Sequence, residues 1–463
     1  MTKTCAGALF VAEAEFVVTR GVRQPVERAA VEDDAADVRV GPVRTVLKLN
    51  YVLIRGRGRG PHAAPDFVLL LCVDGRNSRR APGAGMTEVS VHVERVRELA
   101  PMVAELRGGF DAAGRLPDEL VDELCARKLF RLWLPVPLGG LGLSALEFMD
   151  VVEEAASLDG TIGWLVGNGG GMSRGGAFLD QHAAHQIFDD PDAFVVSSTA
   201  ARGRAERIEA SFVVSGRWAF GSGSPHATWF APMCEVHVDG APTGQMVLAY
   251  VPRDQVVLHD NWDVSGLRAT GSVDFELHDV VVEASFVDTF EPRPEHPATL
   301  YRLPTPAIFS WTVATVPLGI ARGAVAAFVA MATSGRRRSE TVQLSQRELV
   351  QSGLGSIVAR LGASRAHLRE VMTNLLTAID GGGDIAGPFV EFRMACTLAS
   401  QTALWAIDLL TEMAGAVSIS RSSLLERYER DARAAAKHVA MSPNHYIVGG
   451  RHRLGLDPSA TVF

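Results

Sequence analysis

The chain has 463 residues, 47% of them hydrophobic, and a formal net charge of -8. That length admits two or three domains around a sizeable core, and the acidic balance excludes the basic face by which proteins grip nucleic acid. Five cysteines, odd in number and without a C-x-x-C pair, point to neither a disulfide framework nor a metal site and suit a reducing cytoplasm; no unbroken apolar run approaches the ~20 residues of a membrane span, so no membrane partner is expected.

Residues 1–85 are rich in arginine, with Pro, Gly and Asp clusters and only short apolar runs such as that from Phe67 to Val73. They read as a disordered or atypical extension in preference to a small accessory strand region. Residues 86–192 read as a helical domain. Val96, Leu99, Val103 and Leu106 recur at helical steps, Pro117 opens a second helix, and Ser144 with Glu147 forms a capping box for a third. The apolar stretch 160–172 is thick with glycine, which costs about 1 kcal/mol per residue in a helix interior and so points to close approach of a ligand or a partner helix.

Across 193–290 the period falls to two, with candidate strands at 194–198, 207–214, 228–238, 245–251 and 272–282, which suits a small antiparallel sheet or barrel. After a proline-rich link, residues 291–463 hold four amphipathic segments at 312–332, 345–379, 390–414 and 424–440, the pattern of a four-helix bundle. The expected class is α+β, mainly α.

The stretch 216–230 is the most suggestive in the chain. A strand enters a Gly-Ser turn and an apolar strand leaves it, so Trp218, Phe220 and Trp229 can wall a flat molecule while Ser222, Ser224 and nearby amides bond its polar edge. An ordinary hairpin with its aromatics in the core fits the same residues. His226 reads as a surface turn residue. His182 and His185 beside Asp180 and Asp189 lack a third ligand and read as a solvated helix face, and Arg336–Arg338 as a solvated loop.

Leu-Gly-Gly-Leu-Gly-Leu at 138–143, the strand and turn at 216–223, the segment from Trp262 to Ser272 and Glu-Arg-Tyr-Glu-Arg-Asp-Ala-Arg at 426–433 follow the order of the acyl-CoA dehydrogenase fold, which the chain resembles from Val91 onward. The dehydrogenases of that family take an α-proton with a glutamate just before the last motif, but residues 417–424 hold no carboxylate. The Arg-x-x-Phe-Gly motif for the distal part of FAD is likewise unrecognisable near 347–355. The segment from Arg430 to Asn444 instead is similar to the family's flavin-dependent monooxygenases, oxygenase components of two-component systems.

That resemblance implies reduced FMN or FAD with O₂ as co-substrate, a separate flavin reductase, a small aromatic substrate and a homo-oligomer, usually a tetramer. It implies His438 and Ser222 as catalytic residues, with Trp218, Phe220, Ser222, Gly223, Arg268, Thr270 and Ser272 around the flavin, although Arg268 serves equally well as a structural brace. Trp164, Asn168 and Met172 would face the substrate. Some members carry a histidine on that helix, and its absence here favours an indole-like ring over a phenol. His438 is expected at the carboxy-terminal end of a helix capped by Ser423 and Glu426, where the dipole would favour its charged form; a purely helix-capping histidine fits the spacing too. The alternatives are an acyl-CoA dehydrogenase with a displaced base and a catalytically silent assembly protein.

Overall fold

The computed structural model describes residues 11–16, 47–55, 67–72, 88–199, 203–294, 296–334 and 342–457. Two units divide the chain, 1–85 and 86–463. In the first, Val11–Phe16 (β1), Leu47–Arg55 (β2) and Phe67–Cys72 (β3) pair antiparallel in that order, Val11 opposite Val52 and Arg55 opposite Phe67. The expected extension therefore contains an accessory sheet. Its polar–apolar alternation is too irregular to announce it; β3 is an unbroken apolar run. The Arg336–Arg338 loop lies outside the described residues.

The second unit begins with helices Glu88–Arg97 (α1), Ala100–Ala113 (α2), Asp118–Ala126 (α3), Ala145–Leu158 (α4), Gly160–Met172 (α5) and Gln181–Phe188 (α6). The capping box forms on α4: Ser144 Oγ accepts from the Glu147 amide at 3.3 Å, and Glu147 accepts from the Ser144 amide at 2.8 Å. On α5 the glycines serve packing against protein. A Cβ on Gly163 would run into Ala156 of α4, and one on Gly167 into the Thr312 carbonyl, so α5 lies closer to its neighbours than any side chain would permit.

A seven-stranded sheet follows, built from Gly203–Ile208 (β5), Ser211–Gly221 (β6), Met233–Val238 (β8), Ala241–Ala249 (β9), Val257–His259 (β11), Val273–Glu283 (β12) and Val287–Asp288 (β13) in the order β11-β12-β6-β5-β8-β9-β13. Val195–Val196 (β4), Trp229–Phe230 (β7) and Val251–Pro252 (β10) form a small second sheet. Both are mixed rather than antiparallel, since β5 runs parallel to β8 and β4 to β7. The single strand expected at 207–214 is two, because Glu209 takes a φ of 50° and turns the chain into the β5–β6 hairpin.

The remaining helices are Thr305–Ile308 (α7), Val316–Thr333 (α8), Glu348–Asp380 (α9), Ala386–Ala414 (α10), Leu424–Ala435 (α11) and Asn444–Arg453 (α12). Helix α10 packs on α8, α9 and α11, and α8 packs on α4 to close a core that runs from Val96 to Met441. Contrary to the expectation of no such segment, Thr305–Thr333 and Ala386–Ile419 are each long and apolar enough to cross a membrane. The most apolar window of the first is 67% buried inside the protein, the mark of a core helix; that of the second is 33% buried, which leaves an apolar face uncovered within one chain.

Candidate active site

Strand β6 ends in the Gly-Ser turn. Gly223 has a φ of +90°, and a Cβ there would run into the Phe194 ring, so only glycine allows the turn to sit this deep. The turn sets Ser222 beside α5, where its Oγ accepts from Trp164 Nε1 at 3.1 Å. Behind it a row of hydroxyls continues inward: Ser222 Oγ lies 2.8 Å from Ser272 Oγ, which lies 2.6 Å from Thr270 Oγ1, and Thr270 Oγ1 donates to the Leu267 carbonyl at 2.8 Å. On its other side the Trp164 indole meets His438 edge to face, ring centres 5.5 Å apart. Helix α5, the β-domain turn and the carboxy-terminal segment thus converge on one pair of aromatic rings and one hydroxyl.

His438 reaches this point differently from the sequence expectation. Helix α11 stops at Ala435, and His438 precedes a short 3₁₀ turn at Val439–Met441, its Nδ1 accepting from the Ala440 amide at 3.2 Å. Ser423 caps α11 through the Leu425 amide while Glu426 pairs with Arg430, so the expected capping box does not form. No helix dipole holds the ring charged. Burial pushes the His438 imidazole down to about 4, and the acceptor role of Nδ1 places the proton of the neutral ring on Nε2.

Seven residues earlier, Asp431 is engaged by the 262–272 loop. Its Oδ1 accepts from the Leu267 amide at 2.7 Å, and a Cβ on Gly160 would touch its side chain. Burial, aided by the neighbouring Asp159 carboxylate, pushes Asp431 above the usual carboxylate range. Arg427 binds Asp159 at 2.6 Å and Asp111 at 2.8 Å. The family-like segment 426–433 is therefore a bolt that fixes α11 to the start of α5 and to the 262–272 loop.

Several expected site residues move to other roles. Trp218 is 0% exposed, stacked on Phe275, hydrogen bonded to the Met233 carbonyl and covered at Gly203 and Gly216; it is core, with no face left for a flavin. Thr270 and Ser272, 1% and 4% exposed, lie behind Ser222 in the row of hydroxyls. Phe220 is 61% exposed at a φ of 62° and edge-on to Trp262. Arg268 donates to the Val264 carbonyl, and among the described residues no carboxylate pairs with it. Trp164, Asn168 and Met172 follow one another at four-residue steps along α5; the Asn168 amide nitrogen is committed to the Trp164 carbonyl at 2.8 Å, and Met172 is buried.

His226 is not a surface residue: its side chain is buried, its Nε2 has no hydrogen-bond partner among the described residues, and burial with the nearby Arg115 charge pushes it down to about 4. Asp180 caps α6, and His185 pairs with Asp189 on the exposed helix face. Burial also pushes the Cys125 and Cys234 thiols up to about 12, which leaves them inert. The link from Asp431 to the Leu267 amide escaped the sequence reading, for no local spacing signals a contact across so much chain.

The family model for the acyl-CoA dehydrogenase N-terminal domain matches residues 91–179, and that for the C-terminal domain residues 311–443. The oxygenase subunit HsaA, a flavin-dependent monooxygenase of Mycobacterium tuberculosis, is 27% identical over 79% of this chain and 96% of its own length. Indole-3-acetate monooxygenase of Pseudomonas putida is 26% identical over 76% and 90%. Among solved structures, XiaF from a Streptomyces species, in complex with FADH2 and glycerol, superposes with a TM-score of 0.75 at 25% identity, over 81% of this chain and 98% of its own. Residues 91–179 and 311–443 thus carry the two domains of the acyl-CoA dehydrogenase fold, and the relatives this chain is similar to are flavin-dependent monooxygenases.

Proposed function

We propose that this protein is the oxygenase component of a two-component system: it takes reduced FMN or FAD from a separate reductase and hydroxylates a small, electron-rich aromatic compound, indolic rather than phenolic. The observation that carries the reading is the junction of Ser222, Trp164 and His438. The residues fit a flavin. Ser222 Oγ keeps a lone pair after its bonds to Trp164 and Ser272, Phe220 offers an exposed ring, and the Arg268 guanidinium, with no carboxylate partner among the described residues, suits a phosphate. Bound there, reduced flavin would supply the two electrons with which one oxygen atom of O₂ enters the substrate and the other leaves as water.

The chain's own part is to position and to exclude water. Trp164 holds Ser222, and His438, neutral and with a hydrogen on Nε2, can donate to an oxygen without adding charge to the pocket. The substrate-side face of α5 offers the Asn168 carboxamide and the Met172 thioether, neither of which is basic enough to take a phenolic proton. An indole ring needs no such base, because its neutral carbon is already nucleophilic.

The dehydrogenase alternative is weaker, since Asp431, the carboxylate of the family-like segment, is committed to the Leu267 amide and lies within 4.0 Å of Arg427. A homotetramer in the cytoplasm completes the proposal. Leu349, Ile419, Ile447 and Leu454 are exposed on the carboxy-terminal helices and would be covered by further copies.

The test supplies NADH, a flavin reductase, FMN and ¹⁸O₂ with either indole-3-acetate or resorcinol. The expected result is one ¹⁸O atom in the indolic product and turnover of resorcinol lower by ~10-fold or more, the lower end of what a missing base costs. Equal or faster conversion of resorcinol would overturn the substrate class, and an absence of labelled product from both would count against hydroxylation of small aromatic rings.

A further inference from the structure

The hydroxyl row behind Ser222 has a direction, and that direction follows from its inner end. Thr270 Oγ1 stands 2.8 Å from the Leu267 carbonyl oxygen, which can only accept. Two oxygens at that distance with no hydrogen between them would repel, so the Thr270 hydrogen lies there. The 2.6 Å contact between Thr270 and Ser272 must then be closed by the Ser272 hydrogen, and the 2.8 Å contact between Ser272 and Ser222 by the Ser222 hydrogen. Trp164 Nε1 donates to Ser222 from the other side. Ser222, the outermost hydroxyl, has no hydrogen left to give; what it presents outward is one lone pair.

The inner end is anchored as well. The Leu267 amide is held by Asp431 Oδ1 at 2.7 Å, Leu267 sits at a φ of 53°, and Thr270 and Ser272 are buried, so water does not scramble the row. We infer that the Leu267–Thr270–Ser272 row locks Ser222 as a hydrogen-bond acceptor, so that the site selects an isoalloxazine that carries a ring N–H, the reduced form, over the oxidised form, whose corresponding nitrogen has only a lone pair. This rests on the flavin reading of the site. Thr270 and Ser272 are positioning residues here: they set the polarity of Ser222 without touching the ring. The consequence is directional traffic, with reduced flavin retained and oxidised flavin released for the next cycle.

The test compares wild type, Thr270→Val and Thr270→Ser in anaerobic titrations with oxidised and with photoreduced FMN, reading the ratio of the two dissociation constants. Valine keeps the volume but removes the hydroxyl. Ser272 then has only Ser222 to donate to, and the Ser222 hydrogen is freed to point outward; Leu267 O still accepts from the Thr270 amide and Trp262 Nε1. The expected result is a wild-type preference for reduced FMN, a fall in that preference of about fivefold or more in Thr270→Val, from the gain or loss of one hydrogen bond, and a return toward wild type in Thr270→Ser. An unchanged ratio in Thr270→Val, or equal weakening of both forms, would overturn the inference while leaving the flavin reading intact. Failure of wild type to bind either form would remove the flavin reading and this inference with it. Circular dichroism melts of the three proteins separate a folding defect from a change in polarity.

Discussion

Arg427→Ala should cost about 3–5 kcal/mol of folding stability, the usual consequence of removing one partner from a buried charge cluster. The guanidinium is buried and bridges Asp159 and Asp111, with Asp431 Oδ2 at 4.0 Å. Without it, Asp159 and Asp431 face each other inside the protein, each 1% exposed. Arg427→Lys should recover less than half of the loss, because a single ammonium cannot serve Asp159 and Asp111 in the forked geometry of a guanidinium. Chemical and thermal melts followed by circular dichroism measure both. Wild-type stability in Arg427→Ala would mean that α11 is held by its apolar face alone.

His438→Ala should fold and assemble like wild type and lose at least ~10-fold of its coupled hydroxylation, at the low end of what a positioned acid–base group contributes. The pH dependence follows from the burial that pushes this imidazole down to about 4 from an ordinary 6.5. The ring is already neutral well below pH 6.5, so it produces no inflection near neutrality, and the activity that depends on its neutral form is lost only as the pH falls toward 4. This reverses the expectation of a ring whose charged form a helix dipole favours. His438→Asn keeps a donor that does not titrate, and its profile across neutral pH should run parallel to that of wild type. Product yield per flavin oxidised, measured as a function of pH, decides: a wild-type inflection near 6.5 that disappears in His438→Asn would contradict the buried, neutral ring, and full activity in both variants would return His438 to a purely structural part.

What the sequence disclosed about this site was local chemistry. The Ser144–Glu147 box spans three residues and both of its hydrogen bonds form. The turn around Ser222 was legible because Gly223 admits a backbone conformation that other residues resist. Trp218 was misplaced because alternation in a strand separates two faces without saying which is the core. Its answer lies in Gly203 and Gly216, the positions whose missing side chains make room for its ring. Likewise, small residues near position 435 let α11 pack closely but do not mark where it ends, and the true end decides the charge of His438. The bonds from Asp431 to Leu267 and from Arg427 to Asp159 join distant parts of the chain, so no periodicity reaches them.

Whether this site receives reduced flavin and directs its reaction with O₂ is decided by stopped-flow mixing of the anaerobic protein and photoreduced FMN with oxygenated buffer. Two phases are expected: a near-ultraviolet change faster than, and distinct from, the later growth of oxidised-flavin absorbance, with Ser222→Ala shortening the interval between them and releasing more hydrogen peroxide. A single phase at the rate of free reduced flavin, together with bleaching of bound oxidised FAD by a fatty acyl-CoA, would contradict it and establish the dehydrogenase reading instead.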